Sequence, residues 1–98
     1  MSSNLVKLDD FGLITFSSTT QALKAEKVLQ AAGMVFLVIP IPREISASCG
    51  LAVKTHPDDI EFQRDLLLQE QVAIEETYRI EPGGKGCKIT RIPHGDAP

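Results

Sequence analysis

The feature that most constrains this chain is the order of its patterned segments: four strand-like runs and two helix-like runs, with no helix between the second and third strand runs. Residues 11–16 (F-G-L-I-T-F) are β-rich and end in a Ser-Ser-Thr-Thr cluster at 17–20. Ser18 with Gln21 three residues later fits a capping box. Ala22, Ala25, Leu29 and Ala32 fall on one helical stripe with Val28 beside it, and Gly33 stands where a left-handed C-cap is wanted. Residues 34–41 (M-V-F-L-V-I-P-I) read as a strand buried on both faces, with Pro40 and Pro42 marking where pairing stops. A short strand over 50–54 leads into Thr55-His56-Pro57-Asp58, a helix start whose helix continues to about Gln69. A fourth strand covers 74–81, with Ile74, Tyr78 and Ile80 on one side, and Pro82-Gly83-Gly84 ends it.

This β-α-β-β-α-β order predicts an α+β fold, the ferredoxin-like βαββαβ sandwich: a four-stranded antiparallel sheet with two helices on one face. An open parallel sheet would need a crossover between strands two and three, and the chain has none. The expected organisation is an N-terminal arm at 1–10, a domain at 11–81 and a flexible Gly-rich C-terminal tail at 82–98.

Charge and length narrow the function classes. Ten basic residues against 13 acidic ones leave a net charge of −3, which argues against nucleic-acid binding on bulk positive charge. The longest apolar run, 34–41, falls well short of the roughly 20 residues of a membrane span. The first residues lack the basic and apolar pattern of a signal peptide, so a cytoplasmic location is expected. Cys49 and Cys87 form neither a C-x-x-C pair nor a disulfide framework, and His56 and His94 lie far from any cysteine cluster. No metal site and no cofactor is expected.

The linker between the middle strands, Pro42 to Cys49 (P-R-E-I-S-A-S-C), is long for a hairpin, which needs about two to five residues. In the sandwich, strands one and two run the same way, so this loop rises beside the start of the first helix at Ser17, Ser18 and Thr19. A helix N-terminus carries unpaired N–H groups and about half a positive charge, which favours a thiolate. Arg43 adds a cation and Glu44 opposes it; Ser46 and Ser48 can donate hydrogen bonds to a sulfur anion. Gly50 permits a close backbone approach and a positive φ. Cys49 is therefore expected to be a low-pKa thiol held in the open beside Ser18. A plain surface loop with a half-buried small hydrophobe is the competing reading.

Cys87 lies between glycines and lysines. It is either a spare thiol on a loose tail or a second, resolving thiol, with a bond to another chain as open as one to Cys49. His56 and Asp58-Asp59 read as helix-start residues, Glu75-Glu76 as solvated on an outer strand, and Tyr78 as sheet core with a wet hydroxyl.

The stretches Phe16-Ser17-Ser18-Thr19, Ala22 with Ala25-Glu26-Lys27, Leu29 and Gly33, Ile39-Pro40-Ile41-Pro42-Arg43, and Ser46-Ala47-Ser48-Cys49-Gly50-Leu51-Ala52 resemble the small bacterial selenium/sulfur carrier-like proteins. The resemblance covers residues 11 to 81. It implies that Cys49 holds sulfur or selenium as a persulfide or selenenylsulfide, that Arg43, Ser46 and Ser48 stabilise the anionic chalcogen, and that donor and acceptor proteins are the partners. Such a protein is a carrier rather than a turnover enzyme. A small-ligand or protein-binding regulatory module and a thiol redox sensor are the alternatives. A metal chaperone is disfavoured, because the first strand–helix loop holds no cysteine. An exposed strand edge permits a homodimer.

Overall fold

A computed structural model describes residues 2–83 and 86–93. It contains strands β1 (Phe11–Phe16), β2 (Leu37–Pro40), β3 (Leu51–Thr55), β4 (Ile74–Gly83) and β5 (Gly86–Arg91), and helices α1 (Thr19–Ala31) and α2 (Ile60–Gln69). The strands form one sheet in the order β2-β3-β1-β4-β5, with every neighbouring pair antiparallel. The fold is α+β with two helices, as expected, but the sheet has five strands rather than four.

The fifth strand comes from the segment expected to be a flexible tail. Gly86–Arg91 pairs back along β4, from Gly83 opposite Gly86 to Tyr78 opposite Arg91. Gly86 sits at φ 137, a conformation L side chains rarely adopt, so the glycines that suggest looseness here shape a hairpin end. Ile89 lies opposite Ile80 and packs beside it, giving the strand an apolar anchor. The remainder of that expectation, at 84, 85 and 94–98 with His94, lies outside the described residues.

Local chemistry accounts for α1. The Ser18 side chain accepts a hydrogen bond from Gln21 N at 3.3 Å, and Gly33 takes φ 72 beyond the helix end. The second half of the capping box is spent elsewhere: Gln21 Oε1 accepts from Ala73 N at 2.8 Å, tying α1 to the entry of β4. A 3-10 turn at Pro57–Asp59, preceded by His56, opens α2 as the helix-start signal implies.

The second strand is shorter and less buried than its apolar run suggests. β2 is an edge strand of half-buried residues ending on exposed Pro40. The Val35 carbonyl accepts from Thr55 Oγ1 (3.3 Å) and Gln63 Nε2 (3.0 Å), so side chains, not a ladder, satisfy the approach to the strand.

The core lies on both sides of the sheet. Ile14, Phe16 and Val53 meet Ala22, Ala25 and Leu29 of α1 and Ile60 and Leu67 of α2. On the opposite face Leu13, Ala52, Ile80 and Ile45 form a second cluster with Tyr78 packed against it. Ile74 does not join Tyr78 and Ile80 there. A register shift between Thr15 and Phe16 turns it to the helix side, and the buried residue between is Thr77. The N-terminal arm is a 3-10 helix, Ser2–Lys7, with Leu5 buried. Lys54, largely buried, donates from Nζ to Val6 O at 3.2 Å and stands 4.4 Å from the Phe11 ring centroid.

Candidate functional site

The loop between β2 and β3 is built from small constraints. Ile41 N donates to Gly50 O at 2.9 Å and closes its base; Ile45 N donates to Pro42 O at 3.0 Å and makes a turn with Arg43 and Glu44 exposed at its corners. Ile45 is buried against the face opposite the helices, whereas Cys49 is buried in the helix-side core. The loop therefore wraps over the end of the sheet and anchors on both faces.

Cys49 stands where the topology predicts, at the start of α1. Its Sγ lies 3.6 Å from Thr19 Oγ1 and accepts from Leu51 N at 3.3 Å. The expectation of an open thiol is corrected: Cys49 is 2% exposed. The reason is packing, since Cys49 behaves as a small hydrophobe among Ile14, Phe16, Val53 and α1. Gly50 has ordinary φ and open space around its Cα, so neither a positive φ nor a close approach explains it.

The expected anion-stabilising side chains divide. Thr19 is at the sulfur. Ser17 and Ser18 are exposed at the head of α1, where Ser17 N donates to Ala73 O and Ser18 caps the helix. Arg43 and Ser46 are exposed, and no hydrogen bond joins either to Cys49 among the described residues. Ser48 is engaged away from the sulfur: its backbone N–H and its hydroxyl both donate to the Glu75 carboxylate, at 2.9 and 2.8 Å. These bonds hold the Glu75 carboxyl below the ordinary carboxylate range, the backbone N–H first and the hydroxyl second, against a smaller opposing effect of burial.

Glu75 is the residue that sequence reasoning missed. It is not simply solvated on an outer strand, because β5 makes β4 an inner one and Ser48 occupies the carboxylate. No local pattern signals a contact between residues 27 apart. Its neighbour Glu76 pairs with Arg91 at 3.5 Å. Tyr78 is half-buried, and burial raises its hydroxyl above the usual value.

Cys87 is exposed on β5 opposite Pro82, while Cys49 precedes β3 at the other end of the sheet and on its other side. Both thiols are free. Cys87 lines an open groove of about 430 Å³ with Leu8, Phe11, Pro42, Ile80 and Ile89. Among the described residues no three His, Cys, Asp or Glu side chains gather as a metal site, and no helix is long and apolar enough to cross a membrane.

Comparison with known proteins points one way. The chain is 46% identical over 41 residues, 42% of its own length, to the uncharacterized protein YtiA of Escherichia coli (strain K12). The match spans about half, 48%, of that relative. No solved structure matches. The chain belongs to the family described as "Putative Se/S carrier protein-like", whose match covers residues 11–79, the β1-to-β4 unit that sets Cys49 against the head of α1.

Proposed function

We propose that this protein is a cysteine-based sulfur or selenium carrier and that Cys49 holds the chalcogen. The observation that carries the reading is the convergence of the Leu51 N–H and the Thr19 hydroxyl on Cys49 Sγ at the first turn of α1. Both groups can donate to a sulfur anion, and the helix end adds positive potential. Family membership supplies the cargo class. The first four strands, read β4-β1-β3-β2, are taken as the ferredoxin-like unit, with β5 as an added edge.

Loading by sulfur is a thiol exchange. The Cys49 thiolate, its proton given to solvent, attacks the outer sulfur of a donor persulfide. A new S–S bond forms on Cys49, the donor's S–S bond breaks, and the donor leaves as a thiolate that takes up a proton. No net oxidant is needed. A donor protein and an acceptor protein are the partners this shuttle requires. Burial of Cys49 adds one condition: the loop segment carrying it must lift before the sulfur can react.

Intact mass of the folded, reduced protein after exposure to a low-molecular-weight persulfide tests the reading. Gain of one sulfur atom in the Cys87→Ser chain, lost when Cys49→Ser is added to it, is the expected result. No adduct on Cys49 in the folded chain overturns it.

A second reading, a binding module, is favoured by the groove beside Cys87, which is of ligand size and mostly apolar with Asp9 and Glu44 in its wall. Slower alkylation of Cys87 in the presence of a bound small molecule is the result that would support it.

A further inference from the structure

We propose that Glu75 is a positioning residue that latches the Cys49 loop shut, and that release of Ser48 from it is what admits a reactant to the thiol. The inference rests on the reading of Cys49 as the carrier thiol and adds to it the residue that controls access.

Four observations converge. Cys49 is 2% exposed in the helix-side core, yet its neighbours Ser48 and Gly50 are exposed, so the sulfur is carried inward by a strap that itself lies at the surface. The only hydrogen bonds from residues 46–48 to the rest of the protein, among the described residues, are the pair from Ser48 to Glu75. Because the acceptor is charged and takes both donors of one residue, this pair is the strongest polar restraint on the strap. Gly50, held at the base by the Ile41 N–H, marks where the lifting segment ends.

The carboxylate also has somewhere to go. A shallow cavity of about 400 Å³ lined by Glu75, Glu76, Arg91 and Pro93 lies on its solvent side. Rotation of Glu75 into that space parts it from Ser48 while the rest of β4 keeps its pairing with β1 and β5. The other anchor, Ile45, sits on the far face of the sheet and holds the first half of the loop in place. Opening is thus confined to residues 46–49, with Gly50 held at the base by the Ile41 N–H, a local event distinct from global unfolding.

The test is the alkylation rate of Cys49 in the folded Cys87→Ser chain, compared with global stability from urea unfolding of the same variants. Glu75→Ala should speed modification about tenfold, the scale of losing charge-assisted hydrogen bonds at the surface, and by more than its change in global stability explains. Glu75→Gln should restore slow modification, since its amide can accept from the Ser48 N–H and donate to the Ser48 oxygen. Adding Ser48→Ala to Glu75→Ala should give little further acceleration. Equal rates in Glu75→Ala and the parent overturn the latch. So does acceleration that merely tracks global stability, or acceleration as large in Glu75→Gln as in Glu75→Ala. Alkylation reads opening and persulfide loading reads chemistry. A loop that opens in Glu75→Ala without sulfur gain therefore removes the carrier reading and leaves the latch standing.

Discussion

Ile45 and Cys49 belong to one loop yet seal opposite faces of the sheet, Ile45 against Leu13, Ala52 and Ile80, and Cys49 against Phe16, Val53 and α1. A hairpin of ordinary length could not reach both. The long connection between β2 and β3 therefore has a structural task. It closes the end of the sheet and sets the sulfur at the head of α1.

Truncating the far anchor should loosen the loop without touching the thiol. Ile45→Ala removes a buried side chain from the face opposite the helices and should cost about 2–5 kcal/mol. Urea unfolding measures the loss. A change within about 0.5 kcal/mol, the usual range for surface substitutions, would mean that Ile45 does not hold the loop.

The two thiols should differ in reactivity because one is exposed and the other is covered. A chromogenic aromatic disulfide added to the native, reduced protein should titrate Cys87 quickly and Cys49 slowly, with both reacting at once in denaturant. Peptide mapping after a brief alkylation assigns the fast thiol. A Cys49 that reacts as fast as Cys87 in the native chain would show that the loop does not shield it.

Gly12 of β1 has no room for a side chain: a Cβ there would lie 2.6 Å from Ile60 Cδ1 at the start of α2. Gly12→Ala should force α2 off the sheet and cost about 1–3 kcal/mol by overpacking. A double variant with Ile60→Val should recover little of that cost, because Ile60 Cβ and Cγ1 would also lie at 2.7 Å and valine keeps both; thermal unfolding of the set measures it. Equal melting of Gly12→Ala and the parent would contradict the close approach.

Acid should weaken the protein at two places on β4. Hydrogen bonds from Arg79, opposed by burial and aided by its charge, hold Asp10 below its ordinary pKa, and hydrogen bonds from the Ser48 N–H and hydroxyl hold Glu75 below its own. Both carboxyls bind protons more weakly folded than unfolded. Their contribution is complete above the ordinary carboxylate range, about pH 4, and is lost as pH falls through the lower folded values. Urea midpoints recorded across that range should fall with pH, and less steeply in Glu75→Gln or Asp10→Asn. An unchanged slope in both variants would remove these two carboxylates as the cause.

Much of the site's position was legible from residue order. Caps are local events, so Ser18 and Gly33 marked the two ends of α1, and the missing helix between β2 and β3 placed Cys49 at the head of that helix. Burial was not legible, because whether a loop cysteine faces water depends on what the loop packs against. Glu75 carried no sign of its role, since a hydrogen bond across 27 residues leaves no periodicity or motif in the chain. The same holds for β5: Gly86, Cys87 and Lys88 read as loose until β4 offers an unpaired edge.

The amino-acid order by itself determined the succession of elements, the capping of α1, the over-long link and the choice of Cys49 as the thiol beside a helix start. Only the tertiary structure decided that this thiol is covered, that Ser48 is tied to Glu75 and that the Gly-rich end becomes a fifth strand. The physical reason is range. Propensity and capping act within a few residues, whereas shielding from solvent and hydrogen bonds between distant residues exist only once the sheet has assembled.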